Sequence, residues 1–298
     1  MIIDKISADL QIPVWYILEI LGSNRNYKIY NIKKKNGGER RICHPSKQLK
    51  MLQYWIVNNV LPYFPVSTSS TAYEKKCSAV TNARMHSSNN FIFHSDICNF
   101  FESITSNHLL QIFDKHLPSE YELADKRILC DIVLWKGILP VGSVTSPRLA
   151  NAVMYNFDER ISARLHQAYN AMYTRYADDI VVSSKDYIPI EIINIFDMEL
   201  ERDGFSQNHK KIYFCSKSSK RQITGIVIDN NRGETTLGSQ KLNELKGKIY
   251  KYNQYKIGDK DKLCGELSYL NSINHRQYQM MKRKYSLSDP SLTLFSNE

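Results

Sequence analysis

The stretch Tyr173-Thr174-Arg175-Tyr176-Ala177-Asp178-Asp179-Ile180-Val181-Val182 decides the fold of this chain. Its aromatic and β-branched residues predict two strand-like segments, and the stretch Tyr176-Ala177-Asp178-Asp179 is expected at a tight turn between them. Neighbouring strand residues point to opposite faces, so a hairpin turn is one of the few places where adjacent carboxylates reach the same small volume. The carboxylates of Asp178 and Asp179 repel each other there unless a cation lies between them. An Asp-Asp pair is also common in solvated loops, so the interpretation depends on the rest of the chain.

A third carboxylate is available from Asp96, which ends the run Phe91-Ile92-Phe93-His94-Ser95. That run is apolar and aromatic enough for a buried strand. An acid at the end of a buried strand is costly unless it is paired or binds a metal. Mg²⁺ prefers oxygen ligands and takes only one or two carboxylates from a protein, so the three acids predict a site for two ions.

A loop and an amphipathic helix are predicted between the two acidic sites. The segment covers residues 139–151, and Ser146 is expected to cap a helix that has Pro147 at its first position. Apolar residues then recur at every fourth position: Leu149, Val153, Phe157, Ile161 and Leu165. This spacing predicts one helix with a single buried face.

Together, these three segments resemble motifs of reverse transcriptases, and among them those of the bacterial retron type. Asp96 with Phe100-Phe101 resembles the first catalytic motif of the palm, the 139–151 segment the second, and the 176–179 segment the third. Two further elements are similar to retron signatures: Asn82-Ala83-Arg84-Met85-His86 and Ile223-Thr224-Gly225. The resemblance covers nearly the whole chain, from about residue 27 onward.

The chain departs from the family pattern at two positions. Val141 stands where the family usually has Gln, which removes a polar contact near the expected template and nucleotide. The backbone around Gly142 can still approach a ligand closely, because glycine lacks a Cβ. Ile223 stands where Val is usual, a change of one methylene that we expect to be silent.

The resemblance implies an α+β fold with the right-hand architecture of polymerases, in which an antiparallel palm sheet lies between fingers and a helical thumb. We expect an N-terminal helical segment at residues 1–24, fingers at 25–90 with further elements around 105–140, palm at 91–235 and thumb at 236–298. A palm helix is predicted over residues 188–200. The predicted apolar face of the N-terminal segment consists of Ile12, Trp15, Ile17, Leu18 and Leu21.

A basic β-hairpin is predicted in the fingers. Two strand-like segments, 27–33 and 40–43, flank the turn-rich Asn36-Gly37-Gly38. The basic residues of its tip are Lys33, Lys34, Lys35, Arg40 and Arg41. A solvated edge protected by lysines is an alternative interpretation. The resemblance implies that this hairpin closes over an incoming triphosphate, with Arg40 as the matching residue.

The resemblance also implies a metal site. Asp96 and Asp178 would hold two Mg²⁺ ions, one lowering the pKa of the priming hydroxyl and the other stabilising the leaving group. Ile97, which follows the first acid, is expected to belong to the metal site as well, and Asp179 is the supporting acid.

Further nucleotide-binding residues follow from the matching motifs. Phe101 corresponds to the ring that closes off the ribose 2′ side of a dNTP, whereas Phe100 is expected in the core. Gly142 is expected near the nucleotide, and Lys211 near the pyrophosphate leaving group. A surface lysine is an equally good interpretation of Lys211.

RNA recognition is expected apart from the acids, in the two retron-like elements and the thumb. Asn82, His86, Thr224 and Gly225 represent the first group, with a purely structural role as the alternative for Asn82 and His86. The second group is a set of lysines, Lys246, Lys248 and Lys251, on a helix whose apolar residues are Leu242, Leu245, Ile249 and Tyr252. These lysines supply positive charge for a duplex backbone.

The composition is typical of a protein that binds a polyanion. The formal net charge is +10, since 40 basic residues outnumber 30 acidic ones. No apolar run approaches the roughly 20 residues of a membrane helix, and no secretory signal is seen, so a cytoplasmic protein without a membrane partner is expected. The six cysteines form no Cys-x-x-Cys pair and are expected to be single buried thiols.

The sequence therefore predicts an RNA-directed DNA polymerase of the retron type that uses dNTPs. The resemblance implies priming from a 2′-hydroxyl of its own structured non-coding RNA, a branched RNA-DNA product, and anti-phage defence together with a separate effector protein. A free-standing reverse transcriptase of the group II intron type is the alternative within the enzyme class. A non-catalytic RNA-binding scaffold is the alternative from another class.

Overall fold

The computed structural model describes residues 1–33 and 37–286 of the 298-residue chain. Lys34, Lys35 and Asn36 of the basic hairpin tip and the last part of the predicted thumb, 287–298, lie outside the described residues. None of the described helices is long and apolar enough to cross a membrane.

The first part of the chain is helical around one two-stranded hairpin. Its elements are α1 (Ile2–Leu10), α2 (Val14–Gly22), β1 (Tyr27–Lys33), β2 (Glu39–Pro45), α3 (Lys47–Asn59), α4 (Ala79–Met85), α5 (Phe100–Ser103), α6 (Ser106–His116) and α7 (Leu123–Val133). The helical segment predicted at 1–24 is thus two helices, because Gln11 adopts a left-handed conformation at φ 53°. Ile17 is buried as predicted, but Trp15 is 66% and Leu18 55% exposed, so their place in the buried face was wrong.

The predicted fingers hairpin is confirmed. Strand β1 pairs antiparallel with β2, from Tyr27 opposite Pro45 to Lys33 opposite Glu39. The hairpin is joined to the 139–151 segment because the Cys43 amide donates to the Val141 carbonyl at 2.8 Å. This bond places the hairpin next to the first residues of the second predicted motif, ahead of its helix.

A four-stranded antiparallel sheet forms the centre of the molecule, as predicted for the palm. Its strands are β3 (Phe91–Asp96), β4 (Met172–Tyr176), β5 (Asp179–Ser184) and β6 (Tyr213–Ser216), in the order β4-β5-β3-β6. One face packs on helices α9 (Tyr155–Tyr169) and α10 (Ile192–Arg202). On that face the Phe93 ring stacks on Phe196 with centroids 5.5 Å apart. In this order the C-terminal end of β3 lies beside the N-terminal end of β5.

The helix predicted after the second motif differs from the structure in two ways. It is divided at Met154 into α8 (Ser146–Val153) and α9, although Leu149, Phe157 and Ile161 are buried as their spacing predicted. The predicted Ser146 cap was wrong: the Ser146 hydroxyl donates to the Pro140 carbonyl at 2.7 Å and so closes the preceding loop.

Helix α10 starts later than predicted. It begins at Ile192, not at residue 188, since Pro189 disfavours helical geometry at Ile188. The buried side chains of this helix are Ile192, Phe196 and Leu200, which the periodicity had indicated.

The C-terminal part is a small sheet followed by three helices, which confirms the helical thumb. These elements are β7 (Arg221–Ile223), β8 (Ile226–Ile228), β9 (Thr235–Thr236), α11 (Ser239–Tyr255), α12 (Lys260–Ile273) and α13 (His275–Ser286). Their apolar residues form a second hydrophobic core, which also includes Ala83 of α4 and Ile92 of β3. The thumb side of the palm sheet is therefore covered by α4 and the small sheet.

The six cysteines are free thiols, as expected. Cys43 and Cys130 are buried, but Cys77 is exposed, which corrects the expectation of uniformly buried thiols.

Candidate active site

The turn between β4 and β5 brings the three predicted acids together. Ala177 adopts a left-handed conformation at φ 58°, and Tyr176 pairs with Asp179 on either side of the two-residue turn. Asp96, the last residue of β3, lies directly opposite Asp179 in the neighbouring strand. The Ile97 amide donates to the Asp178 carbonyl at 3.0 Å, which fixes the turn against the end of β3. Local strand geometry thus places Asp96, Asp178 and Asp179 at one edge of the sheet.

A buried ion pair lies beneath this turn, and it was not predicted from the sequence. Arg175 and Asp158 have fully buried side chains, and Arg175 donates from Nε and Nη2 to the two carboxylate oxygens of Asp158 at 2.9 and 2.7 Å. The Tyr173 hydroxyl donates to the same carboxylate at 2.8 Å. The remaining Arg175 nitrogen, Nη1, donates to the Ala177 carbonyl at 3.0 Å. An arginine inside an apolar strand was the available signal, because a buried charge requires a partner.

Strand β4 also holds a loop that reaches the site. The Arg175 amide donates to the Ser69 carbonyl and the Thr71 amide donates to the Arg175 carbonyl, both at 2.8 Å. The Asn151 side chain donates to the Ala72 carbonyl at 2.9 Å. These bonds bring Tyr73 to the acids, where its ring lies edge-on to Phe101 at 6.3 Å. Sequence reasoning missed Tyr73, since it carries no local pattern that relates it to the acids.

The electrostatics of the acids favour a cation. Burial, and then the negative charge of Asp96, raise the pKa of Asp178 above its ordinary value. Burial and the charges of Asp178 and Asp96 raise the pKa of Asp179 to about 6. The ionised forms of Asp178 and Asp179 are therefore destabilised unless positive charge is added nearby.

Lys211 supplies part of that charge. Its ammonium nitrogen lies 2.5 Å from Asp96 Oδ1. Partial burial lowers the pKa of Lys211, but the hydrogen bond to Asp96 and the charges of the three acids outweigh it and raise the pKa. Asn208 contributes a weaker contact, because its side-chain amide donates to Asp96 Oδ2 at 3.3 Å.

The donor set fits Mg²⁺, although no three acidic, His or Cys side chains of residues 1–33 and 37–286 are arranged as a ready metal cage. The Asp96 carboxylate is paired with the Lys211 ammonium. Ile97 is buried and apolar, so its side chain contributes no ligand atom.

A cavity of about 590 Å³ opens between the acids and the hairpin, and we call it the fingers-side cavity. The sequence-predicted residues that line it are Asp96, Asp178, Ile97, Arg40, Phe101, Gly142 and Lys211. Phe100 is buried in the core as expected, and Phe101 is half-buried. This dipeptide does not continue strand β3, because Asn99 is left-handed and α5 begins at Phe100.

The backbone conformation and the close neighbours of Gly142 both require glycine at this position. Its φ is 108°, and a Cβ there would lie 3.0 Å from Ile42 Cγ2 and 3.2 Å from the Cys43 carbonyl oxygen. A side chain would push the hairpin away from the loop. Val141, which replaces the usual glutamine, lines the same cavity.

A second cavity, of about 500 Å³, lies on the opposite side of the acids, and we call it the thumb-side cavity. Asp96, Asp179 and Lys211 line it, together with the predicted Thr224 and Gly225 of the β7–β8 turn. Asp96 and Lys211 therefore border both cavities, and the acids lie at their junction.

Asn82 and His86 lie in the core, where the expectation of direct RNA contact is not met. Both side chains are 0% exposed. The two His86 ring nitrogens lie 2.7 Å from the hydroxyls of Ser183 and Thr174. Asn82 accepts from Thr174 at 2.6 Å and donates to the Thr224 hydroxyl at 2.9 Å. The two retron-like elements are thus joined to each other by the hydrogen bond from Asn82 to Thr224.

The thumb lysines lie on the exposed face of α11, opposite the buried Leu245 and Ile249. Lys248 pairs with Glu266 on α12 at 2.6 Å, and Lys246 makes a weak contact with Asn243 at 3.4 Å. The pairing with Glu266 reduces the positive charge that this helix presents.

Comparisons with known proteins agree with the geometry. Residues 32–228 match the family described as reverse transcriptase (RNA-dependent DNA polymerase). The retron Ec86 reverse transcriptase of Escherichia coli is 31% identical over 268 residues, which cover 89% of this chain and 82% of that protein. The retron Ec73 reverse transcriptase of the same species is 32% identical over 282 residues, covering 90% and 89%.

Solved structures with a similar fold include telomerases. The chain matches telomerase from Candida albicans with a TM-score of 0.51 and 11% identity, over 93% of this chain and 58% of that one. For telomerase from Candida tropicalis the TM-score is 0.54 with 11% identity, over 89% and 60%. At this identity the similarity concerns the fold alone, and the chain spans about three fifths of each telomerase chain.

Proposed function

This chain belongs to the reverse transcriptase family, and within it to the retron reverse transcriptases, and on that premise we propose that Asp96, Asp178 and Asp179 are its catalytic acids. The enzyme is an RNA-directed DNA polymerase. The observation that carries the assignment is the position of the acids at the junction of two cavities. A polymerase requires this arrangement, because two substrates must meet at one phosphorus atom.

The reaction joins a hydroxyl to a dNTP held in the fingers-side cavity. The hydroxyl oxygen forms a bond to the α-phosphorus, the bond from that phosphorus to the bridging oxygen breaks, and pyrophosphate leaves. The hydroxyl proton passes to water. Arg40 and Lys211 are the cations of this cavity that bind the triphosphate, and Phe101 with Tyr73 borders the sugar.

The three carboxylates would hold two Mg²⁺ ions. When bound, the ions lower the pKa of the attacking hydroxyl and stabilise charge on the leaving group. The raised pKa of Asp179 supports this assignment, since a cation relieves the repulsion that raises it. Lys211 leaves Asp96 in this proposal and neutralises the triphosphate instead.

We further propose that synthesis starts on a 2′-hydroxyl of a structured non-coding RNA and yields a branched RNA-DNA product. The lysines of α11 bind the RNA backbone, and Asn82 and His86 act through the turn at Thr224. A separate effector protein completes the system in anti-phage defence.

The nucleic acid that co-purifies with the protein tests this function. We expect DNA joined to RNA through a branch that survives ribonuclease as a residual nucleotide on the DNA. Intron RNA would select the group II type of reverse transcriptase. RNA without DNA, from a protein that extends no primer, would select a non-catalytic scaffold and contradict the proposal.

Substitution of a metal-binding acid tests the site itself. Asp178→Asn keeps the shape of the side chain but removes its charge, so DNA synthesis should fall by more than about a thousandfold, equivalent to about 4 kcal/mol. RNA affinity on the same preparation should be unchanged. The matched control is Asp186→Asn, at an exposed position beyond the far end of β5. Near-normal synthesis by Asp178→Asn would contradict the metal assignment.

A further inference from the structure

The thumb-side cavity is on the side from which the attacking hydroxyl must approach. In phosphoryl transfer the attacking and leaving oxygens lie roughly in line across the phosphorus. The fingers-side cavity is lined by Arg40 and Arg41 in addition to the shared Lys211, and these cations are suited to a triphosphate and its leaving group. The nucleotide that carries the attacking hydroxyl therefore enters from the opposite cavity, which Asp179 also borders. Its volume, about 500 Å³, is within the range of small-molecule sites.

The floor of this cavity is a stacked ring pair. The rings of His94 and Tyr213 lie on neighbouring strands with centroids 4.4 Å apart and planes 13° from parallel. His94 is only 4% exposed, and its Nε2 atom is buried without a hydrogen-bond partner among the described residues. The stacked rings therefore give this side of the cavity a flat aromatic surface.

The roof is the tight turn between β7 and β8. Thr224 and Gly225 both have positive φ, 47° and 83°, and the Asn82 side chain holds the Thr224 hydroxyl at 2.9 Å. The Tyr213 hydroxyl donates to the Gln222 carbonyl at 3.3 Å and ties the floor to this turn. Two hydrogen bonds, from Tyr213 and from Asn82, therefore hold the β7–β8 turn in place over the cavity.

One cation of the cavity is free. Lys210 and Lys211 are adjacent and both line it, but only Lys211 is paired with Asp96. Lys210 is exposed, and within the part of the chain that the structure describes its ammonium has no ion-pair or hydrogen-bond partner. A single uncommitted positive charge thus borders the cavity beside the acids.

We propose that Lys210 binds the 3′-phosphate of the RNA nucleotide whose 2′-hydroxyl primes synthesis. This inference rests on the proposed function and extends it. A nucleotide inside an RNA chain keeps its 3′-phosphate next to the reacting 2′-oxygen, whereas a DNA primer end carries a 3′-hydroxyl and no phosphate there. Lys210 therefore acts in the first nucleotide addition, on RNA, and is dispensable once a DNA end occupies the cavity.

The test compares two reactions of the same preparations. The first is branch formation on the non-coding RNA that co-purifies with the protein, measured as the rate of the first labelled dNMP joined to RNA. The second is extension of a DNA primer annealed to an unrelated RNA template. Lys210→Ala should slow branch formation by about 10-fold to 100-fold, the loss expected for a charged hydrogen bond, and leave primer extension within about twofold.

Two further variants, one that keeps the charge of Lys210 and one that removes a lysine elsewhere, serve as controls. Lys210→Arg keeps the charge and should restore branch formation. Lys185→Ala removes the same charge at an exposed position past the far end of β5 and should change neither reaction.

The outcomes separate the inference from the function on which it rests. The role of Lys210 is overturned if the folded Lys210→Ala protein loses both reactions equally, or loses neither. The proposed function is still upheld in that case if the wild-type protein forms the branched product. If the wild-type protein extends annealed primers but forms no branch on its RNA, both proposals are overturned.

Discussion

Arg175 donates a hydrogen bond of 3.0 Å to the carbonyl oxygen of Ala177, two residues further along the chain. The same guanidinium is bound through two nitrogens to the buried carboxylate of Asp158, and it lies 5.6 Å over the Phe100 ring. One buried cation therefore connects helix α9, the core beside Phe101 and the turn that presents Asp178. This arginine holds the acidic turn from below, and the Ile97 amide holds it from the end of β3.

Removing the partner of Arg175 should destabilise the protein strongly. Asp158→Ala leaves a buried charge unpaired, which typically costs about 3–5 kcal/mol. Denaturant unfolding measures the loss. Asp114→Ala, which removes an exposed partner of Lys126, is the control and should cost less than about 1 kcal/mol. Equal effects of the two substitutions would show that the buried pair does not support the fold.

The acids should make the metal-free protein less stable as pH rises. Asp179 has a pKa of about 6 in the folded protein and an ordinary value of 3.8, so between these values the folded state binds more protons than the unfolded state. The free energy of unfolding therefore falls as pH rises from about 4 to about 6 and stays low above that.

Asp179→Asn should remove this penalty. With EDTA present at pH 7.5, the variant should be more stable than wild type by about 1–3 kcal/mol, and the difference should vanish near pH 4. Mg²⁺ should stabilise wild type more than the variant. If the variant is less stable than wild type at pH 7.5 in EDTA, the ionised Asp179 does not destabilise the metal-free protein and the prediction is wrong.

Sugar selection should depend on Phe101. Phe101→Ala opens space in the fingers-side cavity, so incorporation of rNTPs relative to dNTPs should rise by about tenfold or more, in the range of the 1–3 kcal/mol that pocket shape contributes to discrimination. Tyr73→Phe keeps the neighbouring ring and serves as the control. An unchanged ratio in Phe101→Ala would assign this ring to packing alone.

Asn82 should act through stability and through the turn at Thr224. Asn82→Ala leaves Thr174 and Thr224 without their amide partner, which should lower the free energy of unfolding by about 1–3 kcal/mol. Branch formation should fall more than extension of an annealed primer, because Thr224 lines the thumb-side cavity. Asn90→Ala, which loses one exposed hydrogen bond, is the control. Unchanged stability in Asn82→Ala would exclude the structural role.

The sequence predicted the parts of the site that depend on short-range order. Apolar and aromatic runs predicted the strands, and the resemblance to three polymerase motifs in the correct order identified Asp96, Asp178 and Asp179 as one group. Matching motifs added Arg40, Phe101, Gly142 and Lys211, which line one cavity in the structure. Helix ends were less predictable, because the break at Met154 and the late start at Ile192 depend on packing and on Pro189.

The sequence by itself therefore determined the family, the antiparallel palm sheet and the acidic turn, because periodicity and motif order are written in neighbouring residues. Only the tertiary structure decided how remote side chains combine. Asn82 and His86 carried a signature that suggested RNA contact, yet long-range packing buries both and joins Asn82 to Thr224, 142 residues away. The same holds for Arg175 and Asp158, since a buried charge selects its partner by proximity in space, which no local pattern records.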